Sequence, residues 1–179
     1  MIKVAITGNI ASGKSAVEKI LLEKGYKVFD TDKIAHEILK NNEDVKNIFG
    51  TTDRKELGKI VFDNQEKLKQ LEEIIHPKVK EEILKIFEIE EEIVFISVPQ
   101  LFESGFDKLF DKIIFISADE RIRLERLMKR NSLNLEDAQK RISAQLNENE
   151  KIKKSDFLIE NNSNIENLTE KIDEALKNI

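Results

Sequence analysis

Cysteine is absent from the 179-residue chain, which excludes disulfide bonds, thiolate nucleophiles and cysteine-ligated metals. Long apolar runs are also absent: the run at residues 113–116 is typical, and it is far too short to span a membrane. The first residues lack the basic, apolar and small-residue zones of a signal peptide. We therefore expect a cytoplasmic protein with no membrane partner.

An excess of positive charge is missing as well. The formal net charge is -5 and the isoelectric point is about 5.3, so no global positive field attracts a nucleic-acid backbone, and we expect no nucleic-acid partner. Hydrophobic residues make up 40% and charged residues 36%, the composition of a globular domain with a heavily charged surface. We expect a monomer or a weak homo-oligomer.

Short apolar segments alternate with helical patterns along the chain. The strand-like segments are residues 2–7, 28–29, 93–98, 112–117 and 157–159. Helical patterns cover residues 14–23, 119–129, 135–150 and 165–176, and residues 32–91 are helical with breaks near 41–42, 50–52 and 76–77. Five buried-type strands alternating with helices predict an α/β fold with a parallel sheet.

A glycine-containing loop follows the first strand. Residues 8–15, GNIASGKS, match the phosphate-loop (P-loop) pattern G-x-x-x-x-G-K-S. Such a loop wraps a phosphate group with successive backbone N–H groups, which requires glycine at its tightest points. The Lys14 ammonium then reaches the β- and γ-phosphates of a nucleotide, and the Ser15 hydroxyl ligates magnesium. The preceding strand and the following helix are the expected context.

Two carboxylates follow the second strand. Asp30 and Asp32 are predicted to lie at the carboxyl end of that strand, where ligands of parallel sheets collect. Asp32 can accept the proton of an attacking hydroxyl, or position a magnesium-bound water. In the structural alternative Asp32 caps the next helix and Asp30 belongs to a turn. The two interpretations are compatible.

The aspartate of a Walker-B strand is missing, because the third strand ends with Ser97-Val98-Pro99. Magnesium binding would therefore depend on Ser15, water and the Asp30/Asp32 pair. This arrangement departs from motor ATPases and favours a small-molecule kinase.

Several motifs, in order, give the chain a resemblance to the dephospho-coenzyme A kinase family. Beyond the P-loop, these are DTD at 30–32 followed by IAH at 34–36, HP at 76–77, VPQLFE at 98–103, arginines at 123, 126 and 130, RISAQ at 141–145, and DFLIEN at 156–161. The chain departs from the family pattern at Asn9, Ala11, Ala16, Thr31 and Gln100. Of these, Ala11 adds a Cβ to the phosphate loop.

The resemblance implies a P-loop NTPase three-layer fold and ATP-dependent phosphorylation of the ribose 3′-hydroxyl of dephospho-coenzyme A, with ATP as co-substrate and Mg²⁺. It divides the chain into a nucleotide-binding core (1–31, 92–118 and 155–179), a helical acceptor-binding insertion (32–91) and a lid (119–154).

The resemblance also implies roles for individual residues. The catalytic residues would be Lys14, Asp32 as general base and Arg141 as a lid arginine, with Arg126 and Arg130 as alternatives. ATP would be bound by Gly8, Asn9, Ile10, Ala11, Ser12, Gly13, Lys14, Ser15, Ala16 and Arg130. The acceptor would be bound by Asp32, His76, Leu101 and Glu103, and the metal by Ser15.

Some of these residues also fit structural roles. His76 precedes a proline and can support a turn or cap a helix. Glu103 can hold a metal through water or cap a turn. His36, near the DTD motif, fits an exposed helix position.

Other functions were weighed against this one. Shikimate kinases carry a D-x-D in the same place, but their glycine-rich stretch in mid-chain is missing here. Adenylate-kinase-like enzymes lack the serine after the loop lysine. A nucleotide-dependent switch would show N-K-x-D and D-x-x-G, and neither occurs in the chain. A degenerate, non-catalytic module is disfavoured because Lys14, Ser15 and Asp32 are all present.

Overall fold

A five-stranded sheet organises the computed structural model, which describes residues 1–62, 64–145 and 147–179. Its strands lie in the order β2-β3-β1-β4-β5, and β1 pairs in parallel with β3 on one side and with β4 on the other. The strands are β1 (Ile2–Gly8), β2 (Lys27–Asp30), β3 (Ile93–Ser97), β4 (Lys112–Ser117) and β5 (Phe157–Glu160).

Helices connect the strands. In the order of the described chain they are α1 (Lys14–Glu23), α2 (Thr31–Lys40), α3 (Glu43–Phe49), α4 (Arg54–Val61), α5 (Gln65–Ile86), α6 (Glu120–Asn131), α7 (Leu135–Ser143), α8 (Glu148–Lys153) and α9 (Ile165–Leu176). A single 3-10 turn, Phe106–Leu109, lies between β3 and β4. None of these helices is both long and apolar enough to cross a bilayer.

The chain divides into two compact units. The first comprises Met1–Phe29 with Glu91–Ile179, and the second comprises Asp30–Glu90. In the first unit, Val4, Ile6 and Phe95 from the central strands pack with residues of α1 and α9, and all three are fully buried. Each such side chain contributes about 1.5–3 kcal/mol through its burial. The near-continuous apolar runs of β1, β3 and β4 are typical of strands covered on both faces.

The second unit is helical in its described part. Asn42, Asp53 and Asn64 cap the starts of α3, α4 and α5 with their side-chain oxygens, which explains why short charged segments form separate helices. Gly50 ends α3 in a left-handed conformation.

The position of β1 explains where a ligand can bind. The chain leaves β1 toward β2 on one side of the sheet and leaves β4 toward β5 on the other. Connections that diverge in this way open a crevice at the carboxyl ends of the strands. The glycine loop follows β1, so it lies at this crevice.

The predicted α/β fold and its five-stranded parallel sheet are confirmed. Two helix predictions were wrong. α5 continues through His76-Pro77, because the buried residues Ile75, Val79 and Ile83 hold the helix on both sides of the proline. The helix predicted at 135–150 is two helices, α7 and α8, and Asn147 caps the second.

Candidate active site

The loop between β1 and α1 folds back on itself in a tight turn. The Asn9 carbonyl accepts a hydrogen bond from the Ser12 N–H at 3.1 Å, and Ala11 lies inside that turn at φ 61°. Gly13 follows at φ 100°, and its carbonyl accepts from the N–H groups of Ala16 and Val17 in α1. Left-handed conformations are unfavourable for residues with a Cβ, so Ala11 is strained and Gly13 is in the position that glycine suits.

Two glycines of the loop lie against other backbone or side-chain atoms. A Cβ on Gly8 would collide with the Ile116 carbonyl oxygen of β4, and a Cβ on Gly13 would collide with Nδ2 of Asn161. The fixed glycines of the P-loop pattern are therefore required here by packing, in addition to the backbone angle at Gly13.

The loop leaves a set of N–H donors at its concave side. Among the described residues, the backbone N–H groups of Ala11, Gly13 and Ser15 have no protein acceptor. The Lys14 ammonium lies over the start of the loop, where it donates to the Gly8 carbonyl at 3.0 Å. Unpaired amides at a helix N-terminus, together with an ammonium group, form an anion-binding site suited to phosphate.

Two side chains hold the far end of the loop. Arg126 of α6 donates to the carbonyls of Ser12 at 3.2 Å and Asn161 at 3.0 Å, and the Asn161 amide also donates to Ser12 at 2.9 Å. Ser12 is buried, and its hydroxyl oxygen has no hydrogen-bond partner in the described part of the chain. The peptide group before Gly13 is thus fixed from the β5 side.

A charged cluster holds the beginning of the loop. The Asn9 side chain donates to Glu148 at 3.1 Å and accepts from Lys151 at 3.4 Å. Lys151 is buried and pairs with Glu103 at 2.6 Å, while the buried Arg123 pairs with Glu148 at 2.9 Å. Buried charges need such partners, because an unpaired charge out of water is very costly.

The second unit places the two aspartates together at the start of α2. Asp30 accepts from the Asp32 N–H at 2.8 Å, so Asp30 is the helix cap and the expectation that Asp32 caps it was wrong. The reason is geometric: Asp30 has the extended backbone of a capping residue, whereas Asp32 is already in the first turn. The Asp32 carboxylate is exposed.

Both aspartates border a cleft of about 410 Å³ within this unit, lined by Asp30, Asp32, Lys33, His36, Glu37 and Arg54. A neighbouring cleft of about 480 Å³ shares Lys33 and Glu37 and adds the apolar side chains of Ile34 and Ile38. A hydrogen bond from Lys40 lowers the pKa of Glu37 below its ordinary value.

The other residues expected at the site have different surroundings. Arg141 and Arg130 are exposed, and Arg130 donates to Asn131 at 2.9 Å. Leu101 is fully buried and offers no side-chain surface to a ligand in this conformation. The Glu103 carboxylate is held by Lys151, and His76 is half-buried within α5. The roles expected of these residues stay predictions.

Glu148 and Lys151 support the loop through Asn9, and neither lies in a motif from which such a role could be predicted. Asn161, Arg123, Arg126 and Gln145 lie within the motifs that carry the family resemblance, but their contacts with the loop were not expected. These contacts join the loop after β1 to α6, to the residue that follows β5 and to a residue beyond α7, which a linear motif does not show.

Magnesium fits the donor set at the loop. Mg²⁺ usually binds through one or two protein oxygens, the phosphates of a nucleotide and water, so it needs no dedicated cage. In the described part of the chain no group of three or more His, Cys, Asp or Glu residues could form such a cage. The exposed Ser15 hydroxyl, in the first turn of α1, is the kind of oxygen such an ion uses.

The fold and the loop together define a P-loop phosphotransferase. The chain also matches the family model described as CoaE, dephospho-CoA kinase, over residues 2–167. It is 44% identical to a dephospho-CoA kinase of Fusobacterium nucleatum, over 98% of this chain and 97% of the relative, and 38% identical to that of Listeria monocytogenes, over 91% and 90%. The chain belongs to the dephospho-CoA kinase family and is an ATP-dependent kinase.

Solved structures agree with this assignment. A Thermus thermophilus crystal structure superposes with a TM-score of 0.89 at 34% identity, over 99% of this chain and 97% of the other. A dephospho-CoA kinase from Campylobacter jejuni gives 0.74 at 35%, over 98% and 95%. A shikimate kinase from Bacteroides thetaiotaomicron gives 0.60 at 12%, over 98% and 96%, which shows a shared fold only.

Proposed function

We propose that this chain transfers the γ-phosphoryl group of ATP to the ribose 3′-hydroxyl of dephospho-CoA, giving ADP and CoA. The observation that carries the proposal is the loop at residues 8–15, which combines three N–H groups without a protein acceptor in the described chain with the Lys14 ammonium at the start of α1. Phosphoryl transfer depends mainly on positioning and on stabilising charge, and this loop supplies both.

Each part of the loop has a role in that reaction. The N–H groups of Ala11, Gly13 and Ser15 bind the β-phosphate, and Lys14 neutralises charge as the γ-phosphoryl group moves. The Ser15 hydroxyl would provide the protein oxygen for Mg²⁺, and the ion would supply positive charge against the phosphates. Residues 8–16 make up the nucleotide-binding segment, as the family resemblance implies.

Asp32 is the general base of the proposed mechanism. Its carboxylate is exposed in the first turn of α2, and a carboxylate in that place can accept the proton of the attacking hydroxyl. Lys33 and Arg54 line the same cleft and supply positive charge for the phosphate groups of the acceptor. The second unit is therefore the acceptor-binding part in this proposal.

Residues 119–154 form the lid in this proposal, and its arginines have different roles. Arg141 remains the candidate for contacting the transferring phosphoryl group, and Arg130 the candidate for contacting the nucleotide. Arg126 acts on the loop itself, through the Ser12 carbonyl. A monomer or weak homo-oligomer in the cytoplasm remains our prediction for the state and location of the protein.

A coupled ADP-release assay tests the proposed function. ATP and Mg²⁺ are supplied with dephospho-CoA, shikimate, AMP or no acceptor, and the product is identified by mass. Strong stimulation by dephospho-CoA alone is expected, and EDTA should abolish it until excess Mg²⁺ is added. ADP release that does not depend on any acceptor would contradict the kinase proposal.

A further inference from the structure

Both backbone polar groups of one residue in the phosphate loop, Ile10, are held by side chains from outside the loop. Oε1 of Gln145 accepts from the Ile10 N–H at 2.8 Å, and Nε of Arg123 donates to the Ile10 carbonyl at 3.1 Å. Arg123 also donates to Gln145 through Nη2 at 3.3 Å, which ties the two side chains together. We call Gln145 and Arg123 the Ile10 bracket.

The bracket acts on one loop amide only. The N–H of Ile10 is taken by Gln145, while the N–H groups of Ala11, Gly13 and Ser15 have no protein acceptor in the described chain. An amide that is satisfied by protein is not available to phosphate. Ile10 therefore attaches the loop to the rest of the protein, while the N–H groups after it are left to bind an anion.

The turn beside the bracket is strained and needs support. Ala11 has a left-handed backbone, which costs a residue with a Cβ about 1–3 kcal/mol and persists only where the surrounding structure enforces it. Residues 9 and 10 immediately precede it. The bracket holds Ile10, and Glu148 and Lys151 hold the Asn9 side chain, so the entry to the strained turn is fixed at two successive residues.

We infer that Gln145 and Arg123 are positioning residues for nucleotide binding: they hold the N–H and the carbonyl of Ile10 so that the following amides keep their phosphate-binding arrangement. Arg123 is buried and paired with Glu148, which fixes its own orientation. Gln145 follows α7, so the bracket also attaches the segment between α7 and α8 to the loop. The inference rests on the loop being the nucleotide site.

Substitution of Gln145 tests the inference, because its side chain is only half-buried and its loss should leave the protein folded. Gln145→Leu removes the acceptor at similar size, whereas Gln145→Glu keeps an acceptor oxygen for both Ile10 and Arg123. Gln139→Leu, the same change at an exposed position on α7, is the matched control.

Two readouts are needed. In the absence of substrates, amide exchange followed by NMR should show faster exchange of the Ile10 N–H in Gln145→Leu only. In the kinase assay, the KM for ATP should rise about tenfold in Gln145→Leu, the effect of one lost hydrogen bond, while the KM for dephospho-CoA stays within about twofold. Gln145→Glu should restore most of the ATP affinity.

The outcomes separate this inference from the proposed function. Unchanged Ile10 exchange in Gln145→Leu, or an equal rise in both KM values, would overturn the positioning role even in an active kinase. Gln145→Glu behaving like Gln145→Leu would also overturn it, because the acceptor oxygen would then not matter. If dephospho-CoA proved not to be the acceptor, the exchange rates of the Ile10 N–H would still decide the inference.

Discussion

Gly13→Ala is the substitution whose effect on the free energy of unfolding follows most directly from the structure. The new Cβ would collide with Nδ2 of Asn161, a buried side chain whose amide donates to the Ser12 carbonyl at 2.9 Å. Asn161 would have to move and lose that bond, at a cost of about 1–3 kcal/mol. The left-handed backbone at φ 100° adds about 1–2 kcal/mol for a residue with a Cβ.

The unfolded chain offsets part of this cost. Alanine loses less conformational freedom on folding than glycine does, which contributes about 0.4–1 kcal/mol in favour of the variant. The expected net loss in the free energy of unfolding is therefore about 1–5 kcal/mol. ATP affinity should fall as well, because the shifted peptide carries one of the amides assigned to phosphate.

Gly25→Ala is the matched control. Gly25 has φ 90°, close to that of Gly13, but a Cβ there would meet no atom within 4 Å. This variant has the strain without the collision, so its expected cost is about 1 kcal/mol. Urea unfolding of both variants measures the difference. Equal losses would refute the argument that contact with Asn161, beyond backbone angle, requires glycine at position 13.

Three further substitutions test the site. Lys14→Met should lower kcat/KM by about 10²–10³-fold, the effect of losing a group that stabilises transition-state charge, with the urea midpoint nearly unchanged; full activity would contradict the role of the loop. Asp32→Asn should lower kcat by about 10²–10⁴-fold with little change in the KM for dephospho-CoA, and a change in KM alone would point to binding. Glu148→Gln should lower the free energy of unfolding, measured in urea, by about 1–3 kcal/mol, because the buried Arg123 loses its charged partner. The control is Glu150→Gln, an exposed position on the same helix, which should change it by less than about 0.5 kcal/mol. Equal effects of the two glutamate changes would contradict a structural role for the ion pair.

Local patterns were sufficient to predict most of the fold. The alternation of apolar runs with 3.6-residue periodicity gave the five strands and the order of elements, and the bounds of α1 and α9 agree with the predicted 14–23 and 165–176. The break predicted at residues 76–77 was wrong, because tertiary packing on both sides of Pro77 maintains a helix that local propensity disfavours.

The site was predictable only in part. In the P-loop pattern the spacing of glycine, lysine and serine is itself typical of phosphate binding, so residues 8–15 could be located by spacing alone. The contacts of Arg123, Gln145 and Lys151 with the loop could not, because they join residues more than 110 positions apart through the arrangement of β4 and β5 beside β1. The capping role of Asp30 depended on a single residue at the helix start, a boundary that sequence periodicity does not fix.

The central claim is that this P-loop transfers phosphate from ATP to dephospho-CoA. The most direct test follows radiolabelled γ-phosphate from ATP into the purified product, for the unsubstituted protein and for Lys14→Met, and locates the phosphate on the ribose by fragmentation mass spectrometry. The account predicts label at the 3′ position with the unsubstituted protein and almost none with the variant. Label released only as inorganic phosphate, or equal transfer by both proteins, would contradict it.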